Sequence, residues 1–252
     1  MEHQLYAEMD VMERTHWWFI GRRRVIFDVI GRLAPRPKSA LDIGCGTGMN
    51  LEHLVATIPQ VKGLEMSEEA IRFSRQRLPG VEILQGSLPD NALYERFDLI
   101  TLFDVLEHIE NDDAALRAIR KMLSSQGRLV LTVPAHMYLW TEHDELFHHK
   151  RRYTAANLRA VLEKTGYRIE RLSYFNTVMF LPIILFRAMR RLLGLREGAS
   201  DFFVPSAPLN RFLSWSFGLE CYPLRWMDMP FGVSLIAVAT PAVSDDQARV
   251  SV

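Results

Sequence analysis

An aspartate, three glycines at alternate positions and a later glutamate carry the first chemical signal in this 252-residue chain. The run is Leu41-Asp42-Ile43-Gly44-Cys45-Gly46-Thr47-Gly48-Met49-Asn50, and Glu65 lies seventeen residues past Gly48. Glycine has no Cβ, so a backbone built from it can turn sharply and lie flat against a ligand. An apolar segment (Ala40, Leu41, Ile43) runs into the glycines, and a helical pattern (Leu51, Leu54, Val55, Ile58) leaves them. A strand, a glycine turn and a helix start together form the cofactor site of a doubly wound α/β sheet. The spacing narrows the ligand. A dinucleotide fingerprint needs its third glycine at position 49, and that position is Met49. Asp42, ahead of the first glycine, repels a pyrophosphate and suits a cation. Glu65 closes the next apolar segment, where a carboxylate can accept both hydroxyls of a ribose.

Two further motifs flank this run: His16-Trp17-Trp18-Phe19-Ile20-Gly21-Arg22-Arg23 before it, and Asp104-Val105-Leu106-Glu107-His108-Ile109 after the fourth predicted strand. With them the chain resembles a class I S-adenosylmethionine-dependent methyltransferase, of a subgroup that carries both segments. The motifs cover the first two thirds of the chain and its last strand. The resemblance implies S-adenosylmethionine as cofactor and S-adenosylhomocysteine as product, and the ligand's two positive centres agree with Asp42. It implies cofactor contacts from Asp42, Gly44, Cys45, Gly46, Gly48 and Asn50 at the loop. Glu65 and Met66 would serve the ribose, and Ser87 and Leu88 the adenine. Phe103, Asp104 and Val105 would line the methionine and sulfonium end, with His108 at the edge of the methyl-transfer pocket. The aromatic segment would form a lid that includes Trp18, with Arg22 or Arg23 pairing the methionine carboxylate through a two-pronged contact. Packing of an N-terminal helix onto the sheet is the plainer account of the same residues.

Methyl transfer to oxygen or nitrogen needs alignment first and often a base. The run Glu142-His143-Asp144-Glu145-Leu146-Phe147-His148-His149-Lys150-Arg151-Arg152-Tyr153 offers candidates, and the resemblance places it at the substrate mouth. His143 or His149 is expected as the base, since imidazole titrates near neutrality. Asp144, Arg151 or Arg152, and Tyr153 are expected to orient an anionic or sugar-like substrate. Glu142, His143, Asp144, His148 and His149 could instead ligate a divalent ion. Their spacing matches no zinc pattern, so no metal is expected.

These residues need elements to hold them. Strands are predicted at Ala40–Ile43, Val61–Glu65, Val81–Gln85, Leu99–Phe103 and Arg128–Val133, alternating with helices at Met49–Ile58, Glu68–Leu78 and Asp112–Met122. Such alternation marks a parallel sheet. Gly127 is read as ending the helix before the fifth strand. Thr154 is read as capping a helix to Lys164 that Gly166 stops. Strands at Arg168–Tyr174 and Ser234–Ala239 would complete a seven-stranded, mostly parallel sheet. The expected organisation is an N-terminal aromatic and basic lid over 1–38, a methyltransferase core over 39–175 and 232–241, a helical cap over 176–231 and a loose tail over 242–252.

Lys+Arg and Asp+Glu each number 30, so net charge gives no support to a nucleic-acid partner. The Asn/Asp-Pro-Pro motif that the family's nucleic-acid enzymes carry after strand four is replaced by Phe103-Asp104-Val105-Leu106. Charge is uneven: eleven Lys/Arg against two Glu from His148 to Arg196. That basic, apolar stretch makes 175–196 the place where a membrane surface would be touched. Two cysteines form no disulfide framework, and the polar, acidic start shows no signal peptide. A cytoplasmic chain is expected, with any membrane contact at an inner face. The leading function is methylation of a small molecule, at oxygen of a sugar, isoprenoid or aromatic acceptor. A non-catalytic S-adenosylmethionine-binding interaction protein and an NAD-dependent oxidoreductase are the alternatives.

Overall fold

A computed structural model describes residues 3–192 and 205–242. Helix α1 (His3–Thr15) and helix α2 (Trp17–Ile30) precede β1 (Ser39–Ile43). Then follow α3 (Met49–Val55), β2 (Gln60–Glu65), α4 (Glu68–Arg77), β3 (Glu82–Gln85), β4 (Phe97–Phe103) and α5 (Asp112–Met122). The second half comprises β5 (Leu123–Pro134), α6 (Glu142–Leu146), α7 (Ala155–Lys164), β6 (Tyr167–Phe175), α8 (Phe180–Leu192), α9 (Ala207–Gly218) and β7 (Ser234–Pro241). The strands form one seven-stranded sheet in the order β3-β2-β1-β4-β5-β7-β6. Neighbours are parallel except β7, which runs antiparallel to β5 and to β6. The doubly wound architecture expected from the alternating pattern is therefore present.

Both faces of the sheet are covered, as parallel strands require. Alternate residues of β5 divide between two cores. Leu129, Leu131 and Val133 meet Leu116, Ile119, Leu158 and Leu162 on one face. Val130 meets Val25, Ile26, Phe175 and Phe217 on the other. Period-two alternation along a strand dictates that split.

Local signals explain most boundaries. Ser67 caps α4 by accepting from Ala70 N at 3.4 Å, with Glu68 and Glu69 in the first turn. Thr154 caps α7 by accepting from Asn157 N at 3.2 Å, and Gly166 leaves that helix at φ 87°. Three expectations need correction. Helix α3 ends at Val55 rather than Ile58, because the Thr57 hydroxyl turns back onto the carbonyls of His53 and Leu54 and competes with the helical ladder. Gly127 does not end α5, which stops at Met122; it lies inside β5, where a Cβ would stand 2.7 Å from the Phe97 carbonyl oxygen. The N-terminal segment is more than a lid. Helix α2 buries Val25, Ile26, Val29 and Ile30 in the second core, so it is a structural layer of the sheet.

The cap segment contains α8 and α9, and α9 lies on α2. Phe217 fills the space over Gly21, whose added Cβ would stand 2.7 Å away. Asn210 fastens the junction by accepting from Trp17 N at 2.8 Å and donating to Thr15 O at 2.7 Å. Among the described residues no helix is long and apolar enough to cross a membrane. Leu181, Leu185, Met189, Phe212 and Trp215 expose large apolar side chains on α8 and α9. The side chains of Arg187, Arg190, Arg191 and Arg196, and the tail from residue 243 onward, lie outside the described set.

Candidate active site

The carboxyl ends of β1, β2 and β4 converge on the glycine loop. Gly44, Gly46 and Gly48 all take left-handed backbone, at φ 68°, 55° and 85°, a region closed to most side chains. They differ in what lies beyond. A Cβ on Gly44 would meet Val105, and one on Gly48 would stand 2.6 Å from Ser74 Oγ. A Cβ on Gly46 would meet nothing within 4 Å. The loop is thus packed on two sides and open on the third, which is the cradle a ligand needs.

Asp42 sits beneath the loop, 1% exposed. Its Oδ1 accepts from Thr101 Oγ1 at 2.6 Å, while Oδ2 has no hydrogen-bond partner. Burial pushes its carboxyl up to about 7. An orphaned buried carboxylate oxygen needs compensation, and a cationic ligand in the cradle would supply it. Glu65 is buried at the end of β2. Its Oε2 accepts from Gly46 N at 2.9 Å, and its Oε1 accepts from Met66 N and Ser67 N, also at 2.9 Å. Those bonds aim the carboxylate at the loop, and a carboxylate retains acceptor capacity beyond them. Met66 is 71% exposed beside it, an apolar surface suited to a base. Leu88 is buried and Ser87 exposed, the latter donating its backbone N–H to Asn91 Oδ1 at 3.1 Å. Cys45 turns its side chain into a small core with Leu51, Ile71 and Ile83, so only its backbone faces the loop. Asn50 stands half-buried in the first turn of α3.

At the end of β4, Phe103 is buried and Asp104 takes left-handed backbone at φ 57°. Asp104 Oδ2 pairs with Arg22 Nη2 at 2.6 Å, and Thr132 Oγ1 donates to Oδ1 at 3.0 Å. The Arg22 guanidinium also lies over Trp18 and Phe103, at 5.2 and 5.8 Å from their ring centroids. Arg22 is thus engaged by protein groups, whereas Arg23 is buried, which lowers its proton affinity despite the opposing charge of Glu13. Helix α1 closes on the loop through Glu13, bonded by the Thr47 hydroxyl, and through Asp10, paired with Arg77.

The insertion after β5 is organised by Asp144. It is fully buried, and its Oδ1 and Oδ2 take Arg152 Nε at 2.8 Å and Nη2 at 2.7 Å, with Thr141 N at 2.8 Å on Oδ2. His149 Nδ1 stands 2.7 Å from Oδ1. Burial pushes the Asp144 carboxyl up, but His149 and Arg152 outweigh it and hold the group below the usual range. Tyr153 is buried and donates its hydroxyl to Asp112 Oδ2 at 2.8 Å, and Arg151 pairs with Asp112 at 2.9 Å. Asp144, Arg152 and Tyr153 are engaged by protein groups that tie the insertion to the core. The His143 side chain lies outside the described set, although its backbone belongs to α6.

His149 and His108 meet edge to face, with ring centroids 4.6 Å apart. Burial and the neighbouring imidazole push His108 down to about 4. Glu107 joins them, fully buried. Of the residues weighed as an alternative ligand set (Glu142, His143, Asp144, His148 and His149), Glu142 and His148 are exposed and Asp144 is engaged by Arg152. Sequence reasoning missed His136 and Asn176. Both are left-handed, at φ 62° and 58°, and both keep a buried polar atom (His136 Nε2, Asn176 Oδ1) without a partner. His136 stacks on Tyr174 at 5.1 Å and on Tyr138 at 4.8 Å. Their position just past the carboxyl ends of β5 and β6 was the available signal.

Residues 18–172 match the family described as methyltransferase domain. A Streptomyces fradiae dTDP-3-amino-3,6-dideoxy-alpha-D-glucopyranose N,N-dimethyltransferase is 33% identical over 107 residues, covering 41% of this chain and 42% of that protein. A probable S-adenosylmethionine-dependent methyltransferase of Mycobacterium tuberculosis is 27% identical over 161 residues, covering 62% and 57%. The chain thus spans about half the length of these relatives. The solved structure of Streptomyces venezuelae DesVI superposes with a TM-score of 0.60 at 16% identity, covering 96% of this chain and 99% of that one, which is a likeness of fold. With the match running over more than half its length, from Trp18 through β6, the chain belongs to the methyltransferase-domain family.

Proposed function

We propose that this chain is an S-adenosylmethionine-dependent methyltransferase that methylates an oxygen of a small sugar, isoprenoid or aromatic acceptor. The observation that carries the reading is the Gly46 cradle between two buried carboxylates, Asp42 and Glu65, with an orphaned Asp42 oxygen beneath it. Bound there, S-adenosylmethionine supplies a methyl group already activated by a sulfonium. Asp42 offers the counter-charge, Glu65 the ribose acceptor, Met66 and Leu88 the apolar walls, and Arg23 a partner for the carboxylate. Alignment of the acceptor supports the rate most, with about 7–11 kcal/mol available to well-oriented groups. His149, oriented by Asp144, is placed to accept the acceptor's proton. The rings of His136, Tyr138 and Tyr174 form a stacking wall for an acceptor ring, and the exposed apolar side chains of α8 and α9 favour an acceptor with an apolar tail or a contact with a cytoplasmic membrane face.

The test has two steps. S-adenosylhomocysteine should raise the melting temperature of the wild-type chain and not that of Asp42→Ala or Glu65→Ala. Labelled S-adenosylmethionine should then methylate at least one member of a panel of hydroxylated sugars, prenylated phenols and phenolic acids. A stabilising cofactor with no methylated acceptor supports the non-catalytic reading. No stabilisation at saturating ligand ends the proposal.

A further inference from the structure

Glu107 has no role in the function proposed above, yet it is a buried acid. It is fully enclosed, and neither carboxylate oxygen has a hydrogen-bond partner. Buried carboxylates are normally paired, hydrogen-bonded or bound to metal. Its neighbours include two imidazoles, and the charges of Asp104, Arg22 and Arg152 also reach it. One ligand atom from each of Glu107, His108 and His149 lies within 4.8 Å of the other two. From this juxtaposition we infer that Glu107, His108 and His149 form a binding site for one first-row divalent cation, such as Zn²⁺, Co²⁺ or Mn²⁺.

Three features make it a built site. The chemistry of the donors is two imidazoles and one carboxylate, a set that suits such ions and leaves coordination positions open. Each imidazole is held from behind. His149 Nδ1 stands 2.7 Å from the buried Asp144, itself locked by Arg152, and His108 bonds to the Phe147 backbone. Outer carboxylate and carbonyl partners of this kind fix the ring and leave its other nitrogen to the metal. Finally, the loop is pinned: Lys150 N donates to Glu107 O at 2.8 Å, which brings the His149 segment onto the β4 loop. Donors around a tetrahedral ion stand about 3.4 Å apart at bond lengths near 2.1 Å, and the three donors here all lie within 4.8 Å of one another.

The ion would lie three residues along the chain from Asp104, beside the methyl-transfer pocket. An acceptor oxygen could take an open position, where a coordinated hydroxyl loses its proton to water more readily than a free one. His108 and His149 would then serve as ligands rather than as bases. That consequence rests on the methyl-transfer reading; binding of the ion does not.

The test uses the full chain stripped with a chelator and then titrated with Co²⁺ by visible absorption and with Zn²⁺ by calorimetry. One ion per chain is expected, with d–d bands typical of nitrogen and oxygen ligands. Glu107→Gln, His108→Asn and His149→Asn should each weaken binding tenfold or more, whereas Glu142→Gln should not. The melting-temperature rise given by S-adenosylhomocysteine is followed in every variant, and a variant that keeps it has kept its fold. Absence of stoichiometric binding, or equal binding by variants that keep that rise, overturns the metal site. If the wild-type chain binds Co²⁺ but shows no response to S-adenosylhomocysteine, the methyl-transfer reading falls and the metal site stands.

Discussion

Replacing Asp42 by asparagine should flatten part of the chain's stability against pH. In the folded chain the Asp42 carboxyl is pushed up to about 7 by burial, against an ordinary value of 3.8. Between those two values the folded chain holds a proton that the unfolded chain has released. Stability from this group is therefore complete below the unfolded value and is lost as pH rises through the folded one. At about 1.36 kcal/mol per unit, roughly 2 kcal/mol should disappear between pH 5.5 and pH 8.5, and about 4 kcal/mol over the whole range. Asparagine has the same shape and no charge, and the Thr101 hydroxyl can rotate to suit it. Urea unfolding followed by tryptophan fluorescence, at both pH values and without cofactor, isolates the term as a difference between the two proteins. Asp42→Asn should gain about 2 kcal/mol relative to wild type on going to pH 8.5. A bound sulfonium reverses the preference by favouring the carboxylate, so S-adenosylmethionine should release a proton from wild type at pH 6 and none from the variant. Parallel pH curves would refute the reasoning, since they would mean that the carboxyl is solvated or paired in the folded chain.

Three further outcomes follow from the packing. Gly46→Ala should fold with a loss of about 1–2 kcal/mol from left-handed strain yet lose the thermal response to S-adenosylhomocysteine; Gly48→Ala, whose Cβ would stand 2.6 Å from Ser74 Oγ, should show a larger drop in melting temperature. Asp144→Asn breaks a buried pair with Arg152 and should cost about 3–5 kcal/mol, read as a fall of roughly 2–4 °C in Tm for each kcal/mol in a chain of this size. Phe217→Ala empties a fully buried site between α2 and the second core and should cost about 3–5 kcal/mol, whereas Trp226→Ser, 89% exposed, should stay within about 0.5 kcal/mol in denaturant titrations.

How much of this could be read in advance depended on the range of the interaction. The glycine loop and the caps at Ser67 and Thr154 are written in residues close together in the chain, and the parallel core in the alternation of strand and helix patterns, so short-range rules decode them. The meeting of Glu107 and His108 with His149 is not. It depends on a forty-residue excursion through α5 and β5 and on a return fixed by Asp144 and Lys150. Spacing within Glu142–Tyr153 matched no metal pattern, and the partners on the β4 loop were invisible to it. Helix α2 was only partly legible for a related reason. Its tryptophans and arginines favoured a lid over plain helix packing, while its apolar stripe of Val25, Ile26, Val29 and Ile30 shares one core with residues of β1, α3, β4, β5, β6, β7 and α9.

The placement of strain and of unmet polar atoms argues for the site independently of any motif. Among the described residues the non-glycine positions with left-handed backbone are Asp104, His136, His148 and Asn176. Each costs on the order of 1–3 kcal/mol unless its surroundings enforce it. Asp104, His136 and Asn176 follow the carboxyl ends of β4, β5 and β6, and His148 lies in the insertion that β5 feeds. Several of the buried polar atoms without partners gather at the same end of the sheet: Asp42 Oδ2, the two oxygens of Glu107, His136 Nε2 and Asn176 Oδ1. A sequence selected for stability alone would remove such features by single substitutions, for example leucine for Glu107 or glycine for His136. Their concentration at the carboxyl end of one sheet is what a fold shaped around a charged cofactor, an acceptor and a cation would retain.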